Sequence, residues 1–139
     1  MNDMDTSPLR EKWGDALGGG WVVLPNVLFR YQQYLGLDCE EMVLVSNLFA
    51  SWWEVEKLPF PRTSTLAKRT GLSVRTVQRR LHSLEARGLL KRVLVGVGGN
   101  EPREVTAYDL SGLVKKLQIL GAMQGEVIQE AKISGVTPA

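Results

Sequence analysis

Apolar residues recur every three or four positions in four stretches of this 139-residue chain, and every second position in one further pair. These are the periods of amphipathic helices and half-buried strands. From Asn26 to Leu35, Val27, Leu28, Tyr31, Tyr34 and Leu35 fall at helical spacing. Pro25 precedes them, where its missing N–H would be unpaired anyway, and Gly36 ends the run. Asp38 is placed to cap a second helix, with Glu40 and Glu41 in a first turn whose dipole suits carboxylates. That helix is expected to reach about Trp53 and to bury Val43, Val45, Leu48, Phe49 and Trp52. Trp52-Trp53 reads as core and domain edge rather than as a base-stacking platform. Trp21 to Leu24 is a short β-prone run, a candidate edge strand. Leu58-Pro59-Phe60-Pro61 is a loop, because neither proline suits a helix interior. Residues 1–20, polar and closing on Gly18-Gly19-Gly20, read as a flexible arm.

Thr63 to Leu84 carries a tighter pattern. A short helix from about Thr63 turns Leu66 and Ala67 inward, and the small Ala67 lets a second helix pass closely. Gly71 suits a left-handed stop, Leu72 plugs the turn and Ser73 caps the next helix. That helix buries Val74, Val77, Leu81 and Leu84 on one stripe. Its opposite face presents Arg75, Thr76, Gln78, Arg79 and His82. Two helices joined by a tight glycine turn, the second of them basic, make a helix-turn-helix. After Gly88 the period drops to two. Leu89 to Val95 and Arg103 to Leu110 predict a hairpin about a turn at Gly96 to Pro102. Val105, Ala107 and Leu110 alternate there with Thr106 and Tyr108. From Ser111, the residues Leu113, Val114, Leu117, Leu120, Met123 and Val127 form a helical stripe interrupted by Gly121 and Gly125. Each interior glycine costs about 1 kcal/mol, so this helix is expected to fray or break there. The stripe either packs back on the first helix or pairs two protomers. The fold class predicted is mainly α with a small β-hairpin wing: an arm over 1–20, a winged helix-turn-helix domain over 21–110, a C-terminal helix over 111–133 and a disordered tail over 134–139.

Composition narrows the function. Hydrophobic residues at 44% and charged residues at 23% are ordinary for a globular chain. One cysteine, Cys39, cannot form an internal bridge, and with one histidine it cannot make a Cys/His zinc site. The N-terminus, Met1 to Pro8, is polar and lacks the apolar core of a signal peptide, and no apolar run approaches the roughly 18 residues of a membrane span. A cytoplasmic protein without membrane or cofactor is expected. Neither glycine cluster has the spacing of a nucleotide-binding loop. The net charge of +2 hides a sharp division. Residues 62–92 hold nine basic residues (Arg62, Lys68, Arg69, Arg75, Arg79, Arg80, Arg87, Lys91 and Arg92) and one acid, Glu85, a net +8. The remainder holds eight basic and fourteen acidic residues, a net −6. A charge so concentrated is the footprint of nucleic-acid binding.

The second helix of the motif is the one expected in the major groove. Arg75, Arg79 and Arg80 can address guanine edges or phosphate, and Gln78 can address adenine. Thr76 can meet a thymine methyl or a phosphate, and His82 a base or phosphate. Ser73, with Thr63 and Ser64 at the preceding helix start, can take phosphate. Lys91, Arg92 and Arg103 on the wing are placed for adjacent phosphate or minor groove. The run Leu66-Ala67, Gly71-Leu72-Ser73, Arg75-Thr76-Val77, Arg79, Leu84-Glu85, Gly88-Leu89-Leu90 resembles the winged helix-turn-helix domains of bacterial regulators and replication proteins. With Gly20-Trp21-Val22-Val23-Leu24-Pro25, Pro59-Phe60-Pro61 and Tyr108-Asp109-Leu110, the resemblance extends over Trp21 to Leu120. There it is similar to helix-turn-helix proteins of plasmids, phages and integrative elements and to the N-terminal domains of DnaD-like replication initiators. The resemblance implies sequence-specific binding of double-stranded DNA. A transcriptional regulator is expected, with a homodimer through the C-terminal helix; a replication or mobile-element accessory factor is the alternative. Initiators of this kind usually carry a further domain, and only one more helix follows here, which favours the regulator. No acid/base pair in a cleft points to an enzyme.

Overall fold

Asp38 and Glu41 fix the start of the helix around which the others pack. The Glu41 N–H donates to Asp38 Oδ1 at 2.7 Å, and the Asp38 N–H donates to Glu41 Oε1 at 3.0 Å. This reciprocal capping box satisfies two donors that a helix start otherwise leaves unpaired. The computed structural model describes residues 6–134, with side chains as far as residue 125. The elements are α1 (Ser7–Trp13), a 3-10 helix (Gly14–Gly19), α2 (Asn26–Arg30), α3 (Cys39–Ala50), α4 (Thr63–Thr70), α5 (Val74–Ala86), β1 (Lys91–Val97), β2 (Arg103–Asp109) and α6 (Ser111–Ser134).

One hydrophobic core serves α2 through α6. Leu28, Leu44, Val45, Leu48, Leu66, Val77, Leu81, Leu84, Leu110 and Leu113 are all fully buried. In α6 the inward residues are Leu113, Leu117 and Leu120, at i, i+4 and i+7, and they join this same core. Tyr31 Oη donates to Gln124 Oε1 at 3.0 Å, holding the segment after α2 on α6. The hairpin is antiparallel, with Lys91 opposite Asp109 and Val97 opposite Arg103. Its base is anchored to the body where the Tyr108 N–H donates to the Pro59 carbonyl at 2.9 Å. Three helices, the glycine turn and the hairpin make a winged helix-turn-helix.

A second tie crosses the core face. Arg87 donates to the buried Glu41 carboxylate and, at 2.6 Å, to the Gly36 carbonyl. Removing one partner of a buried pair strands the other charge, at about 3–5 kcal/mol when the pair is fully buried. The Arg87 side chain is 34% exposed. Arg87→Ala is therefore expected to cost somewhat less, about 2 kcal/mol, read as a lowered urea midpoint at unchanged slope.

Several sequence expectations are corrected. Residues 7–19 of the arm are helical, although neither element buries a residue; residues 1–5 lie outside the described residues. Trp21 to Leu24 is not a strand. The helix from Asp38 stops at Ala50, and Val43 is exposed while Leu44 is buried, because the core formed with the other helices takes up the Leu44 side. Phe49 and Trp52 are half-buried, stacked with ring centroids 6.2 Å apart. Tyr34 and Val74 are exposed. Tyr108 is buried rather than outward-facing, since the 58–61 loop covers the end of β2. The glycines at 121 and 125 do not break α6, which is continuous to Ser134. Met123 on its expected stripe is exposed. The side chain of Val127 and the tail over 135–139 lie outside the described residues.

Candidate nucleic-acid interface

The turn between α4 and α5 is built from local hydrogen bonds. Thr70 Oγ1 donates to the Leu66 carbonyl at 2.7 Å and accepts from the Leu72 N–H at 3.3 Å. Gly71 turns the chain at φ 76°, a left-handed conformation that costs L side chains energy. Ser73 Oγ accepts from the Thr76 N–H at 3.0 Å and donates to Thr76 Oγ1 at 3.0 Å. Both side chains are therefore engaged in starting α5. These bonds aim α5 so that Val77, Leu81 and Leu84 point into the core. Arg75, Gln78, Arg79 and His82 then share the exposed face, at spacings of three and four.

Beside this face lies an open groove of about 700 Å³. One wall is Phe60 to Thr65, the loop end and first turn of α4; the other is Arg92 and Arg103 to Thr106 of the wing, with Tyr108; Gln78 of α5 reaches in. The structure thus brings together Thr63, Ser64, Gln78, Arg92 and Arg103 of the residues named from sequence. Arg75, Arg79 and His82 continue the surface along α5. Lys91 lies elsewhere, in a smaller hollow with Asp109 and Glu85. Phe60, Pro61 and Tyr108 were not among the site residues named from sequence. Nothing in a loop reading of 58–61 indicates that it covers the wing; only the Tyr108–Pro59 hydrogen bond does so. The start of α4 has no side-chain cap, and Arg62 stands at its N-cap position. First-turn amides beside a guanidinium can hold a phosphate.

The basic stretch divides in two. Arg80 bridges Asp38 at 3.0 Å and Glu40 at 2.9 Å. Arg87 pairs with Glu41, and Arg92 with Glu85 at 2.7 Å. Arg62, Lys68, Arg69, Arg75, Arg79 and Lys91 have no ion-pair partner among the described residues. The Glu40 hydrogen bond and the Asp38 charge raise the Arg80 pKa. The Arg92 hydrogen bonds hold the Glu85 carboxyl below the usual carboxylate range. A carboxyl lowered on folding adds stability above its unfolded value, and that stability is lost as pH falls through the lowered folded value. The Glu85–Arg92 clamp is therefore fully charged at neutral pH. Asp109 is lowered in the same sense, chiefly by the Ser111 N–H, and burial raises the Tyr108 hydroxyl.

Arg62→Ala is expected to lower the salt slope of duplex binding by about one unit, as for one lost phosphate contact. Arg80→Ala is expected to lower thermal stability while leaving that slope within about half a unit, its charge being already matched. Titrations at several salt concentrations check both.

Among the described residues, no group of three His, Cys, Asp or Glu is placed to hold a metal ion, and no helix is long and apolar enough to cross a membrane. Residues 44–90, from within α3 through α5 to Leu90, match the model of a family described as a helix-turn-helix domain. No curated protein matches the chain. The matched segment is the tri-helical unit just described, and with it the structure supports DNA binding.

Proposed function

We propose that the protein binds double-stranded DNA sequence-specifically and acts as a transcriptional regulator. The observation that carries this reading is the continuous surface formed by the unpaired Arg75 and Arg79, Gln78, and the groove between α4 and the wing. Arginine and glutamine on the first two turns of a recognition helix can read guanine and adenine edges in the major groove. The helix start at Thr63 and Ser64 and the wing then hold the flanking phosphates. The action is binding alone: the single histidine, His82, is exposed on the basic helix face, suited to phosphate or base contact rather than proton transfer in a cleft.

A homodimer suits this role. Ile119 and Met123 are exposed four residues apart on α6, and Phe29 and Tyr34 are exposed on the segment packed against it. A twofold pair through this face would present two recognition helices to half-sites about 34 Å apart.

The test is a titration of the protein against duplex from its own upstream region and against random duplex, at two salt concentrations, with footprinting. A preference for the upstream duplex that survives high salt supports a regulator, and a footprint of two half-sites supports the dimer. Preference for an origin or attachment sequence instead supports the replication or mobile-element role. Equal, salt-sensitive binding to every duplex removes sequence specificity from the reading.

A further inference from the structure

Within the strongly basic stretch 62–92 there is one acidic residue, Glu85. It lies in the last turn of α5, and three hydrogen bonds from Arg92, the second residue of β1, reach its carboxylate. The Arg92 N–H donates to Oε2 at 3.2 Å; its Nε and Nη2 donate to Oε1 at 3.2 and 2.7 Å. Arg92 stands opposite Tyr108 in the hairpin, and Tyr108 is the residue bonded to Pro59. The wing is thus tied on both strands, β2 to the loop before α4 and β1 to the recognition helix. The same Arg92 lines the groove with Gln78, Thr63 and Arg103. For binding DNA, a carboxylate at this place is electrostatically unfavourable, because it cancels a cation that could neutralise phosphate.

We propose that Glu85 is a positioning residue for DNA recognition: by holding both the main chain and the guanidinium of Arg92, it sets the angle of the wing to the recognition helix, so that the groove and the α5 face engage one duplex together. Glu85 acts through Arg92 and touches no base. The inference rests on the duplex-binding reading above. It makes the two kinds of affinity move in opposite directions. Removing the charge strengthens binding to any duplex and steepens the salt slope by about one unit. Releasing the wing weakens binding to the preferred sequence by roughly tenfold, the scale of one lost charge-assisted hydrogen bond.

The wild-type protein first selects a preferred site from randomised duplexes of about 30 base pairs, three turns of B-DNA. Wild type, Glu85→Gln, Arg92→Ala and the double variant are then titrated against that site and a scrambled duplex at two salt concentrations, with hydroxyl-radical footprints and thermal melts. The expected result is that E85Q loses about tenfold on the site, gains on the scrambled duplex, and loses backbone protection on the wing side only. In the R92A background the same substitution is expected to cost no specificity, because its route is gone. Should E85Q fail to fold, Glu85→Asp keeps the charge but withdraws the carboxylate by one methylene. It is expected to lose specificity with no gain on scrambled duplex. E85Q tightening both duplexes alike would overturn the proposal, as would weakening both in step with a lowered Tm. A wild type that selects no site overturns the sequence-specific reading on which the proposal rests, and that outcome is seen before any variant is compared.

Discussion

Gly112→Ala is expected to destabilise the protein by about 3 kcal/mol, at the upper end of the cost of overpacking a rigid site. A Cβ on Gly112 would lie 2.1 Å from the Gly88 carbonyl oxygen and 3.2 Å from its carbon. The obstacle is backbone, so no rotamer change relieves it. Neither side can readily give. Gly88 turns the chain at φ 74° between α5 and β1, and its neighbours Leu89 and Leu90 are buried. On the other side Leu110, Leu113 and Leu117 hold the start of α6 in the core. Lifting α6 by an ångström or more would uncover these leucines, each worth about 1.5–3 kcal/mol when fully buried. Gly121→Ala, in the same helix but with nothing within 4 Å of its added Cβ, is expected to be neutral or stabilising by up to about 1 kcal/mol. Urea unfolding of the two variants is the measurement. Equal effects would show that helix propensity, and not the Gly88 contact, governs the position.

Arg75→Ala and Arg79→Ala are expected to weaken binding to the preferred duplex by roughly 5- to 150-fold each, the range of one good bidentate base contact. Both side chains are exposed on the first two turns of α5 and carry no ion pair among the described residues. No partner has to be broken, and no core residue moves, when either is truncated. Thermal stability is expected to stay within about 0.5 kcal/mol, as for surface substitutions generally. Random duplex is expected to lose far less, only the charge contribution that reduces the salt slope by about one unit per arginine. Competitive titration of each variant against the selected and scrambled duplexes separates the two losses. An equal loss on both would reduce these arginines to phosphate contacts and move base readout to Gln78 and the wing.

The motif itself was legible in the sequence because its determinants are local. Gly71 and Ser73 act within three or four residues, through a positive φ and a hydrogen bond to the Thr76 N–H, and both take the expected geometry. Val77, Leu81 and Leu84 repeat at helical spacing among polar neighbours and all three point inward as expected, while Val74, in the first turn of α5, stays exposed. Asp38 was legible as a cap for the same reason. The strand pair followed from the change of period and the glycine-rich turn between Val97 and Arg103.

Pattern failed where it was ambiguous or where the partner was distant. Met42 to Val45 are all apolar, so periodicity could not choose between Val43 and Leu44; burial against the other helices did. Trp21 to Leu24 is β-prone, but strand formation needs a neighbouring edge, and the hairpin is the only sheet among the described residues. Gly121 and Gly125 weaken a helix in isolation, yet α6 continues through them after docking its first turns on the core. The charge count of 62–92 showed where nucleic acid would be drawn, because charge adds up along the chain without regard to folding. Which cations remain available was decided only by tertiary structure. Asp38, Glu40 and Glu41 lie about forty residues before Arg80 and Arg87 in sequence, and folding places them within hydrogen-bonding reach. The sequence by itself therefore determined the helix-turn-helix, the wing and the sign of the surface, all set by contacts a few residues long or by composition. The groove and the pairing of Arg80 and Arg87 were decided by packing, which brings distant residues together, and the clamp of Glu85 on the wing by how β1 turns back on the end of α5, a geometry no local pattern encodes.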